Sequence, residues 1–302
     1  MRLFRLTLVS AVLFAAPSAY AQQQSSPPPD SIVRQVVHTR DGSAIVGRVV
    51  AEDSASIRVE TSAGVLTIAR SNVRSIDTIR ASDMHEGEYW FPNANRTRLF
   101  FGPTGRTLSS GEGYYMNTYL VLQSFAGGLT DNVTLGGGFS LLPGVDPTQW
   151  LYYVTPKVGV YQTENVNVAV GAFAGTVAEA SANGFGVLYG VATKGGPNSS
   201  VSVGAGYGFA GSSISSRPVL MIGGEQRVTR RVALLTENYL YASRRSNVSC
   251  VSTCPNDAHG VVSYGLRFLG EKLSVDFAFF NVPGDVDWIF PGIPYVSFSA
   301  KF

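Results

Sequence analysis

The sequence lacks any hydrophobic run long enough to cross a membrane as a helix. Its most apolar stretch, 6–16, is shorter than the roughly 20 residues that a spanning helix needs. Charge is also scarce, at 15% of residues, whereas a soluble domain carries about a quarter. Without a spanning helix, a chain can cross a membrane only as a closed β-barrel, because open sheet edges cannot face hydrocarbon.

Histidine and cysteine are nearly absent, with three and two residues. A hydrolase of the serine or cysteine type needs a histidine within hydrogen-bond reach of its nucleophile, and no predicted strand carries a histidine beside a serine. The sequence also contains neither a P-loop nor a Cys/His array for zinc. We therefore predict that the protein is not an enzyme and needs no cofactor or metal.

The first residues form a secretory signal. Arg2 and Arg5 precede the apolar stretch, and Ala19-Tyr20-Ala21 supplies a small-x-small cleavage pattern, which predicts a signal peptide at 1–21. No cysteine follows to accept lipid. Without Arg2 and Arg5, 21 basic residues balance 21 acidic ones, so nucleic acid is not an expected partner. The polar, proline-rich stretch 22–30 is a linker.

Residues 31–80 are predicted to form a small all-β unit. Its strands lie near 32–39, 44–51, 56–61, 65–69 and 73–76, with hairpin turns at Asp41-Gly42 and Ser62-Ala63-Gly64. The strand rhythm of "DGSAIVGRVV" and "SIRVETSAGVLTIARSNVRSI" resembles a small SH3-like or Sm-like barrel. Sm-like barrels often bind RNA, but an exported copy would meet little of it. The resemblance therefore implies a periplasmic interaction or spacer module.

After a linker at 81–94, residues 95–302 are predicted to form an antiparallel transmembrane β-barrel. In the last strand, Val296, Phe298 and Phe302 lie on one side, and Tyr295 and Ser297 on the other. About twelve such segments occur, with ten or fourteen as alternatives. They lie near 96–102, 113–126, 133–142, 150–161, 166–178, 185–194, 201–210, 218–227, 232–242, 260–269, 273–280 and 294–302.

The connections predict the orientation of this barrel. Short links at 129–132, 162–165, 195–198, 228–230 and 270–272 alternate with longer links at 103–112, 143–149, 179–184, 211–217, 243–259 and 281–292. Outer-membrane barrels of bacteria have short periplasmic turns and longer external loops. With an even strand count, both ends of the barrel and the amino-terminal module lie in the periplasm.

Three segments and the last strand carry a resemblance to a known group. "FPNANRTRLFFGP" at 91–103, "GEGYYMNTY" at 111–119 and "LTDNVTLGGGFSLLPG" at 129–144 are similar to a functionally uncharacterised group of bacterial outer-membrane β-barrels. The resemblance implies the barrel and its compartment but transfers no active residue.

The alternation also sorts lipid-facing from lumen-facing positions. A charge on the lipid face near the midplane costs about 2–4 kcal/mol, so charged residues in deep strand positions are predicted to line the lumen. They could form a narrow path that selects solutes by charge or pair across the lumen and fill it. The candidates are Arg98, Lys157, Lys194, Glu225, Arg227, Glu237, Arg267 and Asp276.

Aromatic residues are expected at the membrane–water interface, where a ring is half buried and half wet. The candidates are Trp90, Trp150, Tyr152 and Phe302; for Trp90 a local cluster in a soluble linker is the alternative. Cys250 and Cys254 lie in the longest external loop and are predicted to form one disulfide. With His259 they could instead supply three metal ligands, but a fourth ligand is not evident.

The sequence thus predicts an outer-membrane β-barrel that acts as a narrow channel or solute-uptake protein. The alternative is a structural or interaction protein with a filled lumen. Outer-membrane lipid and, through the last strand, the barrel assembly machinery are expected partners, and the module could bind a periplasmic protein or the cell wall.

Overall fold

The structure, a computed structural model, describes residues 34–79, 83–86, 88–177, 179, 184–244, 256–283 and 291–302. The predicted signal peptide and linker, and the Cys250–Cys254 pair, lie outside these residues. The chain divides into two compact units between residues 79 and 80. Within the described residues, no helix is long and apolar enough to span a membrane.

The first unit is a five-stranded antiparallel sheet. Its strands are β1 Gln35–Thr39, β2 Ala44–Glu52, β3 Ser56–Thr61, β4 Gly64–Ala69 and β5 Val73–Thr78, in the order β4-β3-β2-β1-β5. Gly42 and Gly64 have φ of +90° and +121° at the two predicted hairpin turns, a conformation that other residues rarely adopt. Val37, Ile57 and Val59 are fully buried and form the core with Val73.

The second unit begins with two short strands, β6 Met84–His85 and β7 Glu88–Tyr89, which pair with each other. Twelve antiparallel strands then close into a barrel, because the last strand pairs with the first. They are β8 Gly113–Thr118, β9 Leu122–Thr130, β10 Val133–Ser140, β11 Leu151–Gln162, β12 Val166–Val177, β13 Phe185–Gly195, β14 Ser199–Ala210, β15 Ser213–Thr229, β16 Val232–Arg244, β17 Asn256–Leu269, β18 Leu273–Asn281 and β19 Ile293–Lys301.

The predicted fold class is confirmed: the described chain is all-β, with a closed twelve-stranded antiparallel barrel after a small sheet. The inward and outward faces alternate as a barrel requires. On β11 the outward Val154 and Val158 are 53% and 43% exposed, whereas Lys157 between them is 5% exposed. On β19 the inward Tyr295 and Ser297 are buried.

Two strand predictions were wrong. One predicted strand is absent and another is two strands, so the predicted total of twelve barrel strands still agrees with the structure. Residues 96–102 are not a strand, and residues 113–126 form two strands, β8 and β9, joined by a tight turn. Tyr119 and Leu120 adopt φ of +55° and +63° in this turn. The Oδ1 atom of Asn117 accepts the Leu120 N–H at 2.9 Å and stabilises the turn. A turn without glycine or proline leaves little signal in the sequence.

The connections differ at the two rims. The terminal rim contains Gly113 and Phe302 and the short connections 131–132, 163–165, 196–198, 230–231 and 270–272. The opposite loop rim contains connections of mostly greater length: 119–121, 141–150, 178–184, 211–212, 245–255 and 282–292. The predicted alternation is therefore present in part. Residues 103–112 are not a loop at either rim, and the longer link predicted at 211–217 is only the two-residue turn 211–212, because β15 already begins at Ser213.

Candidate functional site in the barrel lumen

Residues 90–112, here called the plug, lie inside the barrel. The plug folds back on itself at Phe101-Gly102: the Leu99 N–H donates to the Gly102 carbonyl at 2.8 Å, and the Thr104 N–H donates to the Thr97 carbonyl at 3.0 Å. We call residues 90–101 the ascending arm and residues 103–112 the descending arm. The plug contacts the terminal-rim half of the lumen, so the lumen is not an open tube.

A buried ion network holds the ascending arm. The Arg267 guanidinium is fully buried and donates to both carboxylate oxygens of Asp276 at 2.7 and 2.9 Å and to Glu225 at 3.0 Å. Its remaining bond, at 2.7 Å, goes to the Leu99 carbonyl of the plug. A buried charge needs such pairing, because burying it alone is expensive. Arg267 therefore joins three barrel strands to the plug.

Arg98 and Asn93 extend this network from the plug side. Arg98 donates to Asp276 at 3.1 Å and to the Asn95 amide oxygen at 3.0 Å. The Asn93 amide donates to Glu225 at 2.6 Å. Both carboxylates of the network thus have partners on the barrel as well as on the plug. Arg98 lies in the lumen as predicted, but the plug rather than a strand carries it.

Glu237, near the middle of β16, binds the turn of the plug. Its carboxylate accepts the backbone N–H groups of Phe100 and Phe101 at 2.7 and 3.0 Å and the Tyr239 hydroxyl at 2.8 Å. Phe100 also packs against Tyr295 with ring centroids 5.4 Å apart. The turn is therefore fixed by charge-assisted hydrogen bonds on one side and aromatic packing on the other.

Arg227 binds the start of the plug. It donates to the Phe91 carbonyl at 2.8 Å, and its guanidinium carbon lies 4.9 and 4.8 Å from the rings of Trp90 and Phe91. Trp90 is buried, so the prediction that it belongs to an interfacial girdle is wrong. The indole is covered because it contacts this cation and makes an edge-to-face contact with the His85 ring, with centroids 4.2 Å apart.

Residues 104–108 of the descending arm are held in a different way, by neutral groups and by cations that bind carbonyls. Lys157 donates to the Thr97 and Thr104 carbonyls at 2.9 and 3.4 Å. Gly105 donates to the Thr193 hydroxyl at 2.8 Å and accepts from Gln162 at 2.7 Å. Further bonds run from Arg106 to the carbonyls of Gly195 and Gly196, from Leu108 N–H to Thr134 and from Thr107 to the Asp131 carbonyl.

Gln162 reaches the plug because of a β-bulge. The register of β11 against β12 shifts between Gly159 and Tyr161, and such a bulge reverses the facing of the residues beyond it. The strand alternation that places Lys157 inward would place Tyr161 inward as well. Beyond the bulge, however, Tyr161 is 56% exposed on the outer face, and Gln162 points inward. Sequence alternation alone cannot locate a bulge.

Two adjoining cavities lie between the plug and the wall of the barrel. The first has a volume of about 220 Å³ and is lined by Arg98, Lys157 and aromatic residues that include Tyr153 and Tyr189. The second, of about 240 Å³, is mostly apolar. Phe101, Pro103, Phe173 and Tyr189 line both cavities. We call this space the vestibule, and the plug forms one of its walls.

Of the eight charged residues predicted to line the lumen, seven are buried inside it. The exception is Lys194, which is exposed. Val191 and Thr193 occupy the inward positions of β13 and are buried, so Lys194 points outward and its predicted position was wrong. It lies two residues from the 196–198 connection, where a long side chain can reach the rim.

Three of the predicted interfacial aromatics lie at the rims. Trp150 stacks on Phe139 with centroids 5.9 Å apart, and Tyr152 donates to the Pro147 carbonyl at 3.1 Å, both at the loop rim. Phe302 is 71% exposed at the terminal rim, where its backbone exchanges hydrogen bonds with Gly113 at 2.9 and 3.1 Å. These contacts leave all three on or near the outer surface.

Glu112 binds the end of the plug to the last strand, and this predicts a pH dependence. Burial alone would raise its pKa, but Arg96 and Lys301, the latter at 2.7 Å, bind the carboxylate and lower the pKa from 4.5 to about 2. A lowered folded-state pKa stabilises the fold above pH 4.5, and this contribution is lost as the pH falls towards 2.

We expect Glu112→Gln to remove this contribution. The stability difference between the unaltered barrel and Glu112→Gln should be constant from pH 7 to 5 and shrink between pH 4.5 and about 2. Chemical unfolding of the refolded protein at a series of pH values measures it. A difference that stays constant down to pH 2 would contradict the role of this carboxylate.

Comparisons with known proteins return structures but no sequence family. No family model matches the chain, and no curated protein matches it. Outer-membrane expressed OmpT of Vibrio cholerae is similar over 90% of this chain and 95% of its own, at 10% identity and a TM-score of 0.35. Its in-vitro folded trimer form is similar over 90% and 96%, at 8% identity and a TM-score of 0.35.

OccAB3 of Acinetobacter baumannii is similar over 84% of this chain and 69% of its own, at 10% identity and a TM-score of 0.33. At these TM-scores the similarities carry no weight for function. The function is therefore argued from the lumen itself.

Proposed function

We propose that the protein is a gated solute-uptake barrel of the bacterial outer membrane. The outward-facing apolar residues support insertion in a bilayer, because a barrel in water would not expose residues such as Leu188, Val203, Leu220 and Leu240 in neighbouring strands. The lumen supports the gated part of the proposal, because the plug lies between a solute in the vestibule and the terminal rim.

The difference between the two arms of the plug is the observation that carries this proposal. Carboxylates on β15, β16 and β18 bind the ascending arm. Residues 104–108 of the descending arm are bound by neutral groups at Gly105 and Leu108, and the cations Lys157 and Arg106 contribute bonds to carbonyls there. Bonds between neutral groups contribute about 0.5–1.5 kcal/mol each, and bonds to charged groups about twice that. The descending arm is the part that moves when the path opens.

The proposal places the terminal rim and the small module in the periplasm, since short turns mark the periplasmic side of such barrels. The pairing of β1 with both β2 and β5 supports the SH3-like interpretation of the module and a periplasmic protein or cell-wall partner. The barrel assembly machinery would recognise the last strand.

Protease added to intact cells tests this orientation. The protease should leave the small module intact, because the outer membrane shields the periplasm, and cleavage of the module would contradict the orientation.

The alternative is a structural or interaction protein with a permanently filled lumen. Arg267 and Asp276 bind each other, and both of them and Glu237 bind the ascending arm, so these groups leave no polar surface for a solute. For the ascending arm, this pairing favours the structural alternative. The two functions differ in whether the plug ever leaves the barrel wall.

Single-channel recording of the refolded full chain in a planar bilayer tests the proposal. We expect no steady current at low voltage, because the plug blocks the terminal-rim half of the lumen. Transient openings at higher voltage would support a gate. Steady steps at low voltage in the unaltered protein would contradict the closed resting state and favour an open porin.

A further inference from the structure

The first cavity of the vestibule carries two cations in its wall. Arg98 and Lys157 both line it, together with the hydroxyl-bearing Ser124, Thr134 and Thr155. No aspartate or glutamate is among the lining residues that the structure describes. The field in this cavity therefore favours negative charge, and a cation placed there would meet no counter-charge.

Lys157 is the cation whose charge is least compensated. Its ammonium group has three donors, and two of them bind the carbonyls of Thr97 and Thr104. Within the described chain, no carboxylate oxygen lies within 4 Å of it, although the side chain is only 5% exposed. A buried ammonium held by carbonyls alone lacks the paired anion that usually accompanies a buried charge.

Arg98 adds a second group with unused bonding capacity. Its terminal nitrogens bind Asp276 and Asn95, but its Nε is buried and has no acceptor among the described residues. Buried donors of this kind are rare in folded proteins and call for an explanation. Two incompletely bonded cations thus lie in the wall of one cavity.

The rest of the vestibule is suited to an apolar body. Tyr153 and Phe173 stack with centroids 5.2 Å apart, and Tyr189 lies between the two cavities and lines both. Val187, Val191, Val219 and Met221 line the second cavity. With about 220 and 240 Å³, the two adjoining cavities together lie at the lower end of the roughly 300–1,000 Å³ of a pocket for a drug-sized ligand. The occupant must therefore be small.

We propose that the vestibule binds a small organic anion, with its negative group at Lys157 and Arg98 and its flat apolar body against the aromatic side chains. This inference rests on the proposed uptake function, because it names the class of solute that enters the lumen. The third donor of Lys157 binds the anion, and the anion supplies the charge that the cavity wall lacks.

Three probes of nearly the same shape test the site: benzoate, benzamide and benzamidinium. We expect calorimetric titration of the refolded full chain at neutral pH to show saturable benzoate binding. Benzoate should bind at least about tenfold more tightly than benzamide, as a bond between charged groups requires, and benzamidinium should bind most weakly. Equal binding of benzoate and benzamide would overturn the proposal.

The matched variants are Lys157→Met and Lys194→Met, which remove the same charge from the inner and the outer face. Lys157→Met should lower benzoate affinity about tenfold and leave benzamide within about twofold, and Lys194→Met should change neither. Unchanged benzoate binding in Lys157→Met would overturn the proposal. If Lys157→Met does not refold, the comparison of probes on the unaltered protein decides alone.

This binding test is separate from the test of the gate. The proposed site is present while the plug is in place, so binding needs no conductance. If benzoate binds and no plug variant ever conducts, the anion site is supported and the gated path is overturned. If a plug variant conducts and benzoate binds no better than benzamide, the gated path is supported and the anion site is overturned.

Discussion

Asp276→Asn is expected to lower the free energy of unfolding of the barrel by about 3–5 kcal/mol. The substitution keeps the shape of the side chain but removes the charge that Arg267 and Arg98 share, at 2.7 and 3.1 Å. Both guanidinium groups are buried, and breaking a buried ion pair by removing one partner costs about this amount because the other charge is left uncompensated.

Asp146→Asn is the matched control, since Asp146 is exposed in the 141–150 connection. Its carboxylate accepts the Thr148 N–H at 2.9 Å, and asparagine caps such a turn nearly as well, so we expect a loss below about 0.5 kcal/mol. All three tryptophans, Trp90, Trp150 and Trp288, follow residue 80, so their fluorescence during chemical unfolding reports on the barrel unit. Equal losses in both variants would show that the ion network contributes little.

Gly105→Ala is expected to change the resting barrel from closed to conducting. A Cβ atom at this position would lie 2.1 Å from the Asn167 carbonyl oxygen and 2.7 Å from its carbon. Both are backbone atoms of β12, which the strand ladder holds in place. The descending arm must therefore leave the wall and lose its bonds to Thr193 and Gln162, which opens a path beside the anchored ascending arm.

Gly196→Ala is the control, because a Cβ atom there meets nothing within 4 Å and the carbonyl that accepts from Arg106 is kept. We expect steady steps in a planar bilayer from Gly105→Ala and none from Gly196→Ala. Gln162→Ala, which removes one side-chain bond without a steric conflict, should give intermediate, transient openings. A folded Gly105→Ala barrel without current would argue for the structural alternative.

The barrel could be predicted from the sequence because its alternation has a physical cause. Lipid outside and polar groups inside impose a period of two on each strand, and Val154, Lys157 and Val158 follow it. The same rule failed where the backbone departs from a regular strand. The bulge between Gly159 and Tyr161 exchanges the inward and outward positions of Tyr161 and Gln162. On β13 the inward positions are those of Val191 and Thr193, so the prediction that Lys194 points inward was wrong.

The plug could not be predicted from the sequence by these rules. "NANRTRLFF" mixes polar and apolar residues much as a lumen strand does, so residues 96–102 were interpreted as one. Its buried groups are satisfied by distant residues, Glu225, Glu237 and Asp276, which lie more than 120 positions along the chain. No local pattern reports such pairing. Only the density of asparagine and arginine before Phe100 hinted that this segment needs many hydrogen-bond partners.

The plug is covalently continuous with the barrel, since Glu112 is followed directly by the first residue of β8. A displaced descending arm therefore remains at a high effective concentration near its binding sites, as any tethered ligand does. Resealing is a first-order process whose rate does not depend on how much protein the membrane holds. If the plug opens as proposed, each molecule opens and closes repeatedly without losing its closing element to the surrounding solution.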